Sequence, residues 1–142
     1  MKNHIQTAMR AFVLSTTLLT ASSWAEVVVV VSSKSGITTL TKEQVLTIYQ
    51  GKAKTFPDGS LVITSITGSG PVHDEFLSKI LDRTESQMRA TWARLTFTGT
   101  GVGPKELKDS AESKKLVSAN PNVIGIMEKS EVDSTVKVVL AP

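Results

Sequence analysis

Residues 67–73 read TGSGPVH. Two glycines around a serine, followed by a proline and an apolar helical pattern, are the parts of a turn that can hold an anion. The first N–H groups of a helix have no partner inside it and point outward. Thr67, Gly68, Ser69, Gly70, Val72 and His73 are therefore the candidate anion-binding residues. Gly68 and Gly70 let the backbone close around a ligand, and Ser69 adds a hydroxyl donor. The same residues also read as a plain corner between a strand and a helix, with Gly70 the N-cap before Pro71. Pro71 deletes one donor. Asp74 and Glu75 suit the helix dipole but repel a bound anion.

Other chemistry finds little support. After residue 25, His73 is the only histidine, and the chain has no cysteine. Only Asp74 and Glu75 lie beside His73 in sequence, so no metal ligand set is expected, and His73 is expected to be a partly exposed helical residue that could lend positive charge to an anion. GTGVGPK at 99–105 carries Lys105 but follows a predicted helix, which is the wrong context for a dinucleotide fingerprint, and no Walker sequence is present. No nucleophile–base ordering is visible, so neither an enzyme nor a cofactor is expected.

The elements that must carry the turn are legible in the periodicity. VVVVVS after Glu26 is a strand buried on both faces. Thr41 and Gln44 form a capping box for a helix with Val45, Ile48 and Tyr49 on one face and Gly51 as its stop. FPDG is a turn, and SLVITSI is the second strand, delivering the chain to Thr67. A helix from about Pro71 to Leu81 carries Val72, Phe76 and Ile80 at intervals of four. Thr84 with Gln87 caps the next, lined by Met88, Trp92 and Leu95 and ending near the Gly-rich loop. Ser110 caps a weaker helix through Ala119, NPN stops it, and VIGIM and STVKVVL are strands. Strands separated by helices predict an α/β sandwich.

Residues 1–25 read as a signal peptide: Lys2 and Arg10, an apolar stretch, then Ser23 and Ala25 at the small-residue positions, with cleavage before Glu26. As a membrane anchor the stretch falls short of ~20 apolar residues and is interrupted at Ser15–Thr17. Of the chain's 16 basic residues, removing Lys2 and Arg10 leaves 14 against 13 acidic, a net +1. The lysines are scattered and not interleaved with aromatics, which argues against nucleic acid as a partner. The remaining 117 residues suit one domain, 26–142.

LTKEQVLTIYQGKAKTFPDGS, TGSGPVHDEFLSKIL, TWARLTFTGTGVGP and PNVIGIM, in that order, resemble the phosphate-binding proteins of ABC transporters, and more closely their short exported members. The resemblance runs from Val27 to about Val139. It implies a single three-layer α/β lobe resembling one domain of a type II periplasmic binding protein, located in the periplasm. Ser69 and Gly70 match the phosphate-contacting Ser and Gly of the family's turn. Pro71 stands where the family has Thr and Ser65 where it has Arg, so both changes remove donors. The implied partners are phosphate or a similar oxyanion, an ABC permease or membrane receptor, and a second lobe supplied by a homodimer or a separate protein. The alternative is a non-transport sensing module that docks to a membrane receptor, its turn purely structural.

Overall fold

Five consecutive valines are too apolar to leave either side of a strand in water, and Val27 to Val31 are each at most 1 % exposed. The computed structural model describes residues 26–142, so the expected leader lies outside the described residues. Strand β1 (Val27–Ser32) sits inside a five-stranded sheet, with α1 (Lys42–Tyr49), β2 (Ile63–Thr67), α2 (Pro71–Glu75), α3 (Glu85–Thr98), β3 (Lys105–Leu107), α4 (Ser110–Ala119), β4 (Val123–Glu128) and β5 (Val136–Leu140) following. The strand order is β3-β2-β4-β1-β5. β2 runs parallel to β3 and β4, whereas β1 is antiparallel to β4 and β5.

Side chains alternate across a strand, and the valines divide accordingly. Val27, Val29 and Val31 join the larger core with residues of α1, the 76–81 segment and α3. Val28 and Val30 face the smaller one with Val117 of α4, Val123 and Met127. Helices on both faces make three layers, the expected architecture. Each fully buried valine contributes about 1.5–3 kcal/mol relative to exposure, so this one strand anchors both cores.

Both capping boxes form: Thr41 Oγ1 accepts from the Gln44 N–H at 3.1 Å and Thr84 Oγ1 from the Gln87 N–H at 3.1 Å, each with its reciprocal bond. Gly51 stops α1 with φ +74°.

Four expectations need correction. The helix over 71–81 is continuous, but its second half, Phe76–Leu81, is a π-helix. The wider turn buries Phe76, Leu77, Ile80 and Leu81 together, with the Phe76 ring edge-on to Tyr49 at 4.8 Å. Ser110 is not a cap, because Asp109 takes that place and accepts from the Glu112 N–H at 3.0 Å. The Ser110 hydroxyl instead accepts from the Glu128 N–H. The second strand starts at Ile63, since Leu61 pairs back with Thr55 across the FPDG turn. Finally, the Gly-rich loop runs into β3, a three-residue edge strand with no periodicity to announce it.

Helix α4 approaches the sheet at Gly125, where an added Cβ would lie 2.8 Å from Val117 Cγ2, 2.9 Å from Ser65 Oγ and 3.0 Å from Ser113 Oγ. Those two serines are buried and donate to sheet carbonyls, Ser65 to Ile124 and Ser113 to Ile126. Neither can shift without losing a bond. Gly125→Ala is therefore expected to lower the unfolding free energy by about 1–3 kcal/mol in urea titrations.

Candidate functional site

The end of β2 is held from three directions. The Tyr49 hydroxyl donates to the Ser65 carbonyl at 2.8 Å, and Trp92 Nε1–H donates to the Tyr49 carbonyl at 2.8 Å, so α1 and α3 are tied to the strand through buried bonds. Burial pushes the Tyr49 phenol well above its ordinary pKa, which keeps it a donor. From the sheet edge, the Gly68 N–H donates to the Leu107 carbonyl at 2.9 Å.

The turn follows. Gly70 takes φ +97°, ψ −179°, a conformation open essentially to glycine alone, and Pro71 occupies the first helical position. The Asp74 N–H makes the first helical bond, to the Gly70 carbonyl. Among the described residues, no protein acceptor meets the N–H of Ser69, Gly70, Val72 or His73, and no side chain caps the helix. Ser69 and Gly70 are exposed, whereas Thr67 is buried with its Oγ1 unpartnered. Of the six candidate residues, Gly68 thus has its amide already engaged, and Thr67 brings an unsatisfied hydroxyl to the start of the turn.

His73 departs from expectation. It is 2 % exposed, not partly exposed. Its Nδ1 lies 2.5 Å from the Thr67 carbonyl and its Nε2 2.7 Å from Glu85 Oε2. A carbonyl only accepts, so Nδ1 carries the hydrogen. With both nitrogens engaged, the ring cannot touch an anion on the turn, and only the backbone N–H of His73 remains for that purpose. Ser65 is likewise turned away, fully buried with its hydroxyl on Ile124.

Charged side chains from α2, the 76–81 segment, α3 and β3 complete the surroundings. Glu85 opens α3 and also meets Arg89 Nε at 2.6 Å, while Arg89 reaches Glu106 of β3 at 3.5 Å. Hydrogen bonds from His73 and then Arg89 hold the Glu85 carboxyl below the usual carboxylate range, and Glu85 in turn raises the Arg89 guanidinium. On the other side of the helix start, Glu75 accepts from the Val27 N–H and pairs with Lys79 at 3.1 Å.

Compared with known proteins, the chain matches no family model and no curated sequence. Solved structures do match. A Clostridium perfringens protein described as a phosphate ABC transporter substrate-binding protein, with phosphate bound, superposes with TM-score 0.64 at 21 % identity over 80 % of this chain and 44 % of its own. An ABC-type phosphate transport receptor from Vibrio cholerae gives 0.62 at 19 % identity, covering 80 % and 45 %. PstS from Borrelia burgdorferi gives 0.59 at 12 %, covering 80 % and 46 %. This chain has the fold of part of these receptors. It spans less than half of their length.

The ring of His73 bridges the end of β2 to the start of α3. His73→Ala removes one buried and one part-buried hydrogen bond and leaves a cavity, for which a loss of about 2–4 kcal/mol is expected in chemical denaturation. Glu85→Gln, at a half-exposed partner, should cost less than about 1 kcal/mol.

Proposed function

We propose that this chain is an exported oxyanion-binding protein of the phosphate-transport receptor type, holding phosphate or a similar small anion at residues 67–73. One observation carries the reading: among the described residues, the N–H groups of Ser69, Gly70, Val72 and His73, two on each side of Pro71, have no protein acceptor, and the Thr67 hydroxyl at the start of the turn is buried and unpartnered. Helix starts of this kind suit anions through both unpaired donors and dipole. The shared fold of receptors named for phosphate gives the anion its proposed identity.

Magnitudes set the expected strength. Hydrogen bonds to a charged group contribute about 1.5–3 kcal/mol each. Association removes at least ~4 kcal/mol, and micromolar binding requires about −8 kcal/mol. Four such bonds would give about 6–12 kcal/mol gross, which after that cost reaches the micromolar range only at its upper limit. A second wall that excluded water would strengthen every bond, and a separate lobe or an ABC permease are the partners proposed to provide it.

Phosphate and sulfate titrations by calorimetry should therefore show millimolar binding, weakened several-fold by Ser69→Ala. Asp74→Asn, which removes a carboxylate from the first helical turn, should strengthen it. No heat and no thermal shift at millimolar anion would reject the reading. Export has its own check: mass spectrometry of the protein from a periplasmic fraction should find Glu26 as the first residue.

A second reading, an interaction module whose turn is only a corner, is favoured by a different surface. Phe97 is 93 % and Val102 80 % exposed, with Leu61 and Ile63 also exposed, along two grooves that meet at Gly103. Four such side chains offer about 400 Å² of apolar area, half of the ~800 Å² per partner of a standard interface and close to its apolar share. A second copy of this chain is the proposed occupant. Sedimentation should then show a concentration-dependent dimer that Phe97→Asp abolishes, and a monomer at all concentrations would reject it.

A further inference from the structure

Asp74 follows His73 directly, but Glu85 is twelve positions from His73 and reaches it only through the fold, so that one ligand atom from each of the three falls within 4.8 Å of the others. We propose that these three side chains form a binding site for a single divalent transition-metal ion, Zn²⁺ in particular.

The argument starts from a conflict of hydrogen-bonding roles. The Thr67 carbonyl fixes a hydrogen on Nδ1, which leaves the lone pair of a neutral ring on Nε2, facing the Glu85 carboxylate at 2.7 Å. Two electron-rich atoms at that distance need a positive charge between them, either a proton or a metal ion. Donation of the other ring N–H to a backbone carbonyl is also how metal-binding histidines are held in their ligating tautomer. Burial of the His73 ring fixes its direction, whereas Asp74 and Glu85 are exposed and can adjust.

Charge favours the ion as well. With a neutral His73, the carboxylates of Asp74, Glu85 and Glu106 outweigh Arg89 by two negative charges, which one divalent cation cancels. On uptake, the proton between Nε2 and Glu85 leaves to solvent. Nε2, one Asp74 oxygen and one Glu85 oxygen each then donate a lone pair, and water completes a four-coordinate ion. Ligand bonds of about 2.0–2.2 Å spread the Nε2–Oε2 pair to roughly 3.3 Å, a small movement for the exposed Glu85. One imidazole and two carboxylates with an open position suit zinc better than calcium, which favours six to eight oxygens.

The test is calorimetric titration of the chelator-stripped, purified chain with ZnCl₂ in phosphate-free buffer, alongside ¹⁵N spectra of the His73 ring. One ion per chain is expected, with the Nε2 resonance displaced and Nδ1 still protonated. Asp74→Asn and Glu85→Gln should each weaken binding at least tenfold, while Asp58→Asn, on the remote FPDG turn, should not change it. The ring spectra stand even if a variant folds poorly. No uptake, an unmoved Nε2, or uptake indifferent to both variants would overturn the proposal and leave His73 and Glu85 as an ion pair only.

Discussion

The hydrogen bond from His73 Nδ1 to the Thr67 carbonyl closes the turn on itself, and the candidate site depends on it. It joins the last residue of β2 to the first turn of α2 across six positions, so the intervening backbone cannot open toward the solvent or collapse onto the strand. Gly70 supplies the backbone angles that the closed turn needs, which glycine adopts without a Cβ penalty. The same ring, through Nε2 and Glu85, ties the turn to the N-terminus of α3. One buried imidazole therefore fixes the backbone that carries the four amides without a protein acceptor.

That bond would be useless if β2 itself could move. Its carbonyl at Ser65 accepts from Tyr49, its Ser65 hydroxyl donates to β4, and Gly68 is held by Leu107 at the edge. Each bond is buried or partly so, where a lost partner leaves a polar group unsatisfied and costs about 1–3 kcal/mol. Behind them stands β1, whose valines fill both cores and set the sheet against which β4 and then β2 align. Rigidity thus passes from an apolar centre outward through polar contacts to the turn.

Local signals in the sequence carried much of this. Thr41 with Gln44 and Thr84 with Gln87 marked two helix starts because a capping box is complete within four residues. The valine run marked an interior strand because its burial needs no partner to be inferred. The turn and the proline at its helix start were legible for the same reason. What escaped was non-local. The π-turn at Phe76–Leu81 arises from packing against Tyr49 and leaves the spacing of apolar residues compatible with an ordinary helix. β3 is three residues long and owes its existence to pairing with β2. His73 has the surroundings of a surface residue in sequence, with Asp74 and Glu75 beside it, and only Thr67 and Glu85 bring it inside. Asp109 displaced Ser110 as a cap because Ser110 has a better use, accepting the Glu128 N–H.

The distribution of charge decides what kind of site the turn can be. Several charged side chains around it are matched to one another: Arg89 to Glu85 and Glu106, and Lys79 to Glu75, while Glu85 also meets the His73 ring. Ser65, at the position where the resemblance places an arginine, points into the core. The donors left on the turn are neutral: the amides of Ser69, Gly70, Val72 and His73 and the hydroxyl of the exposed Ser69. Their pull on an anion is short-ranged and directional, set by alignment within the few ångströms of a hydrogen bond, whereas an arginine would act over a Debye length of about 10 Å. Such a surface discriminates by shape and gains affinity chiefly when water is excluded from it. On the proposed reading, a lobe with this turn would complete an anion site more than constitute one.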